Sequence, residues 1–91
     1  MRVQVYFVVE PDDNGFHAYA PALPGLHADG QTEDEALQNA AELAALYLAS
    51  MVKHGDPLPI GCMSEGEEQR RWPPKLQPRQ RGQSVVLALA S

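Results

Sequence analysis

Residues 21–48 read PALPGLHADGQTEDEALQNAAELAALYL and pass from a proline-stiffened connector, through a short polar stretch, into a long helix. Thr32-Glu33-Asp34-Glu35 has the form of a capping box, in which the Thr32 hydroxyl accepts from the Glu35 amide while Glu35 reaches back. Three acids in the first turn complement the positive end of the helix dipole. Leu37, Ala40, Ala41, Ala44, Leu48, Met51 and Val52 recur at steps of three and four and form a packing face. Leu43, Leu46 and Tyr47 widen that stripe beyond the needs of one sheet face. Lys53 and His54 suit the last turn, and Gly55 before Pro57 is a stop signal. The spacing predicts a helix over 33–54.

Upstream, Pro21 and Pro24 fix φ and remove two amide donors, so 21–25 is a rigid connector and not a central strand. Leu26–Gly30 reads as a short third strand. Residues 2–9, RVQVYFVV, alternate: Val3, Val5, Phe7 and Val9 face one side, Arg2, Gln4 and Tyr6 the other. Val8 interrupts the polar side, which predicts partial cover there. Glu10 to Gly15 is dense in turn formers, and Asn14-Gly15 readily supplies the positive φ angles of a hairpin turn. Phe16 to Ala20 alternates again, with Phe16, Ala18 and Ala20 inward, so a hairpin precedes the connector.

Downstream, residues 56–83 hold five of the eight prolines and show no period, as expected of a linker or excursion. Ser84 to Ala90 is almost wholly apolar and reads as a closing strand buried on both faces, inside the sheet or between subunits. The expected organisation is a β-β-β-α core over 1–60, a Pro/Arg-rich linker over 61–83 and a C-terminal strand over 84–91.

Ninety-one residues make one modest domain, and 44% hydrophobic with 21% charged composition is that of a globular protein. No apolar run is long enough to span a bilayer. The N-terminus lacks the apolar core of a signal peptide, and the lone Cys62 excludes an internal disulfide, so a cytoplasmic protein is expected. Residues 1–68 hold all 12 acids against Arg2 and Lys53, a net −10, and residues 69–91 hold five bases and no acid, a net +5. The acidic body suits a basic partner and argues against direct nucleic-acid binding by that part.

Catalytic chemistry finds little support. Glu10, Asp12 and Asp13 sit in a turn where such residues serve the backbone, and two-metal catalysis would need acids converging from several strands. The first strand carries no carboxylate between Arg2 and Val9. Ser50, Ser64, Ser84 and Cys62 lack activating partners. No catalytic residue, metal site or cofactor is expected. His17 and His27 share the strand phase away from the core, where they could hold a metal, but no third ligand accompanies them and a partner contact is favoured. Tyr6, His17, Tyr19, His27 and Asp29 are the candidate partner-binding residues. Arg70, Arg71, Trp72, Lys75, Arg79 and Arg81 interleave cations with an aromatic and are the candidate nucleic-acid contacts, against use as a linker.

The run from Pro21 to Leu48 resembles the central signature of HicB-like antitoxin domains. The matching residues are Pro21, Leu23, Pro24 and Gly25, then Gly30, Thr32, Glu35, Ala36 and Leu37, with the preceding hairpin also in place. The resemblance covers about residues 3–60. It implies an α+β, partial RNase H-like fold of βββαβ order, a three-stranded antiparallel sheet on one long helix with a C-terminal fourth strand, lacking the nuclease's catalytic acids. It also implies a non-enzymatic role, binding and blocking a small basic mRNA interferase of HicA type, for which the −10 body is suited. Because the chain ends at Ser91 just past the last strand, operator binding through a further DNA-binding domain is not expected. The alternative is a solitary domain of this type binding another protein, or an RNA through its 70–81 segment. Under both readings the apolar last strand and the broad helical stripe predict a homo-oligomer, a dimer or higher.

Overall fold

The computed structural model describes residues 2–57, 62–64 and 76–89. Its elements are β1 (Arg2–Asp12), β2 (Gly15–Tyr19), β3 (His27–Gly30), α1 (Glu33–Lys53), β4 (Cys62–Ser64) and β5 (Arg81–Ala88). The α+β layout is as expected, one antiparallel sheet packed on one long helix, with β4 as an addition.

The centre of the sheet is β1. Its residues 2–9 pair with β5 along one edge, while Val3 to Val5 pair with β4 and Val8 to Asp12 with β2. Val3 is paired with both β4 and β5, and Val8 with both β2 and β5, so β2 and β4 lie end to end on the edge opposite β5. On the far side of β2 lies β3. The strand runs three residues past its expected end and includes Pro11. Pro11 is tolerated because β5 stops opposite Val9, leaving that edge of β1 without a ladder to supply.

The hairpin turn differs from expectation. Asp12 pairs with Gly15, so the two loop residues are Asp13 and Asn14, and neither has positive φ. The Asp12 side chain accepts from the Asp13 amide at 2.8 Å and holds the turn instead. Gly15 is required for space: a Cβ there would collide with the Gly30 carbonyl on β3. The connector consists of two consecutive turns, Leu23 N–H to the Ala20 carbonyl (2.9 Å) and Leu26 N–H to the Leu23 carbonyl (3.1 Å). Pro24 and Gly25, with φ of 85° at the glycine, have the residue types of a type II turn. Between the two turns Leu23 is driven into the core, almost wholly buried.

The helix starts as predicted. Thr32 Oγ1 accepts from the Glu35 amide at 3.0 Å, and Glu35 Oε1 accepts from the Gln31 amide at 3.0 Å, one residue earlier than the usual box. It ends one residue sooner than expected, with His54 as cap. Gly55 then takes φ of 76°, and its amide and that of Asp56 close a Schellman pair onto Val52 and Met51. Ala36, Ala40, Ala44 and Leu48 form the buried line. Three alanines let the axis approach the sheet closely, over β2 and β3. The core beneath joins Val3, Val5, Phe7, Val9, Ala18 and Leu23 to this line. Leu43, Leu46 and Tyr47 stay exposed.

Two expectations about the C-terminal part are corrected. The stretch read as linker contains β4, and the last strand begins at Arg81, not Ser84. Nor is that strand buried on both faces: only Leu87 is buried within it, Val85 is half-buried and Val86 is 40% exposed. The reason is position, since among the described residues β5 pairs with β1 alone and lies beyond the reach of most of α1.

Candidate functional site

Side chains alternate across a strand, so fixing the core face fixes the opposite one. With Val9, Ala18 and Ala28 toward the helix, the sheet's outer face carries Tyr6, Val8 and Glu10 from β1, His17 and Tyr19 from β2, and His27 and Asp29 from β3. The register makes neighbours of these: Glu10 opposes His17, His17 opposes Asp29, and Val8 and His27 flank Tyr19. All five predicted partner-contact residues share this face.

Four of them form a half-exposed platform. The His17 ring stacks on Tyr19 at 5.8 Å with a 28° interplanar angle, and meets His27 edge-on at 5.2 Å and 68°. His27 and Asp29 are exposed, and a shallow groove leads from His17, Tyr19 and His27 to the Pro24 turn. The fifth, Tyr6, is nearly buried. Its ring lies over Gly82, and burial pushes its phenol above the ordinary value.

No local pattern signals that the chain before β5 returns to this platform. Gln80 Nε2 donates to Glu10 Oε1 (3.0 Å) and to the Tyr19 hydroxyl (3.2 Å), while Gln80 Oε1 accepts from the Gln77 backbone amide at 2.9 Å. Gln80 therefore orders the turn over Gln77 to Gln80 and pins it to the hairpin. Arg79 in that turn is exposed, and Arg81 lies 3.6 Å from Glu33 at the helix start. Arg70, Arg71, Trp72 and Lys75 lie outside the described residues.

A second feature was not read from the sequence. Asp12 and Asp13 at the hairpin turn, Asp29 at the end of β3 and Glu35 in the first helical turn line one open cleft. Two glycines make the approach possible. Gly15 abuts Gly30, and Gly30 abuts the backbone of Ala36, so the turn, β3 and the helix start are drawn together. Acids far apart in sequence thus concentrate at one end of the molecule, beside the platform. Among the described residues no three His, Cys, Asp or Glu side chains are grouped to hold a metal ion. No helix among them is long and apolar enough to cross a membrane. The arrangement offers rings for stacking and carboxylates for cations: a surface that suits arginine- and lysine-rich protein.

No family model matches the chain. It is 43% identical to a UPF0150 protein of Synechocystis sp. over 47 residues, 52% of this chain and 60% of that protein. It is 36% identical over 53 residues to a UPF0150 protein of Thermoplasma acidophilum, 57% of this chain and 77% of the relative. A Helicobacter pylori UPF0150 protein is 41% identical over 44 residues, 48% of this chain and 61% of that protein. The chain thus spans about three fifths of two of these relatives. Among solved structures it resembles the Burkholderia pseudomallei antitoxin HicB, at TM-score 0.60 and 18% identity, over 94% of this chain and 62% of that one. It also resembles the antitoxin HicB3, at TM-score 0.60 and 22% identity, over 96% of this chain and 62% of that one. A chain of the HicA3 and HicB3 toxin-antitoxin complex matches at TM-score 0.56 and 22% identity, over 97% of this chain and 99% of that one. At these identities the likeness is one of fold, and it accords with the connector-and-helix signature of residues 21–48. On its sequence relatives the chain belongs to the UPF0150 family, and its fold is the one seen in the HicB antitoxin structures.

Proposed function

We propose that this protein is an antitoxin of HicB type, which neutralises a small basic mRNA interferase by binding it directly and performs no catalysis of its own. The observation that carries the reading is the fold match along almost the whole of a chain from a HicA3–HicB3 toxin-antitoxin complex. The acidic end formed by Asp12, Asp13, Asp29 and Glu35 supplies the attraction for a basic toxin, and the His17–Tyr19–His27 platform supplies apolar and stacking contact beside it. Masking of the toxin's RNA-binding surface follows from occupancy, without a reacting group on this chain.

The test is a search beside its gene for a small basic protein, followed by co-expression of the full chain with it. Rescue of growth and co-purification of the pair are expected. Reversing Asp12 and Asp13 together (Asp12→Lys, Asp13→Lys) should weaken the complex by about tenfold or more, chiefly through slower association at low salt. Absence of a complex with the native chain would sink the proposal.

A further inference from the structure

We propose that Gln80 is a positioning residue for the partner-binding platform. Its side-chain amide fixes the Tyr19 ring, and through that ring the stack with His17 and the edge contact with His27. The inference rests on the platform being a docking surface, and one arm of its test needs no partner.

Register brings Gln80 to the platform. The ladder between β1 and β5 ends with Val9 opposite Arg81, so one step further Gln80 falls opposite Glu10. Opposed residues share a sheet face. Glu10 in turn opposes His17, and His17 opposes Asp29. A polar row of Gln80, Glu10, His17 and Asp29 therefore crosses the outer face, and Tyr19 lies two residues from His17 on that same face. Gln80 is itself held from both sides. Its backbone N–H donates to the Gln77 carbonyl at 3.0 Å, and the Gln77 N–H returns a bond to Gln80 Oε1 at 2.9 Å. Pro78 sets φ at the second position of this turn, and Arg81 on the other side is already in the ladder. The side chain is ordered by the fold and costs a partner nothing to order.

The chemistry of the amide assigns the roles. A backbone N–H only donates and an ionised carboxylate only accepts, so Gln77 and Glu10 together leave the Gln80 amide one orientation. Oε1 faces Gln77, and Nε2 gives its protons to Glu10 at 3.0 Å and to the Tyr19 hydroxyl at 3.2 Å. The Tyr19 ring is thus tied at both ends, to its strand through Cβ and to Gln80 through its oxygen. Its face is kept toward His17, stacked at 5.8 Å and 28°, and His17 meets His27 at 5.2 Å. Rings ordered before binding give a partner more net affinity than rings it must order itself. The steering carboxylates Asp12 and Asp13 lie in the hairpin turn and are not held by this amide.

The experiment compares the native full chain, Gln80→Ala, and the exchange Gln80→Glu with Glu10→Gln. The exchange keeps the net charge and reverses donor and acceptor, so the pair and its hold on the Tyr19 hydroxyl survive. In the first arm, proton NMR reads the nuclear Overhauser contacts between the Tyr19 and His17 rings, with circular dichroism to confirm folding. The native chain and the exchange should show these contacts. Gln80→Ala should lose them and shift the ring protons of His17 and His27. Should Gln80→Ala not fold, Gln80→Glu alone keeps the bond from the Gln77 amide, sets a carboxylate against Glu10, and should release the rings likewise. In the second arm, Gln80→Ala should weaken the complex with the basic partner by roughly tenfold, through faster dissociation and unchanged association, and the exchange should restore it. Ring contacts that persist in Gln80→Ala overturn the proposal. So does their loss in the exchange, or an affinity that Gln80→Ala leaves unaltered. If the native chain forms no complex, the toxin-binding reading fails, and the first arm still decides whether Gln80 sets the rings.

Discussion

The ring of Tyr6 lies across Gly82, filling the space where any other residue at that position would carry its Cβ. Tyr6 sits on β1 and Gly82 two positions along the neighbouring strand from its partner Ser84, so the ring reaches diagonally over the ladder. This packing makes Tyr6 part of the structure of the outer face, where alternation alone would have left it exposed. It also couples the start of β5 to the middle of β1.

Gly82→Val should therefore cost about 1–3 kcal/mol, because the ring must swing out or the strands must part. Urea denaturation measures the loss. If Tyr6→Ala is introduced first, the same change at Gly82 should become nearly neutral. An equal cost in both backgrounds would show that the ring does not need the glycine.

Tyr6 also predicts an alkaline limit to stability. Its buried phenol titrates above the ordinary value of 10.0, so on raising the pH the unfolded chain loses the proton first. Below that value both states hold the proton and Tyr6 contributes no pH dependence. Above it the unfolded state binds fewer protons than the folded one, and stability falls with pH. Chemical denaturation on either side of pH 10.0 should show a steeper decline for the native chain than for Tyr6→Phe. Parallel declines would assign the alkaline loss to other groups.

The glycines differ in what a methyl group would meet. A Cβ at Gly30 collides with the Ala36 amide and the Glu35 carbonyl carbon, backbone atoms of the first helical turn that cannot yield without undoing the cap. Gly30→Ala should cost about 3 kcal/mol or more and disperse the acidic cleft. Gly55 stands in open space, and there only its φ of 76° is at issue, so Gly55→Ala should cost about 1–2 kcal/mol. Thermal or urea melts of the two variants should fall in that order. The reverse order would mean that β3 and α1 are not as close as the glycine implies.

The local elements and the family signature were legible in the residues alone, because each rests on interactions between near neighbours. Thr32 and Glu35 cap the helix within one turn, Gly55 ends it, and Pro24-Gly25 turns the chain beneath Leu23. Period-two alternation in the predicted strands fixes which side chains share a face, and it put His17 and His27 on the side away from the core. What alternation could not supply was depth. Tyr6 and Val8 carry the same phase as His17, yet they lie over the middle of the sheet and are buried. Four features came only with the assembled fold: the pairing of β4, the return of Gln80 to Glu10 and Tyr19, the clustering of Asp12, Asp13, Asp29 and Glu35, and the exposure of most β5 side chains. These are contacts between residues distant in sequence, selected by which surfaces the whole chain can bury at once, and no local pattern records them.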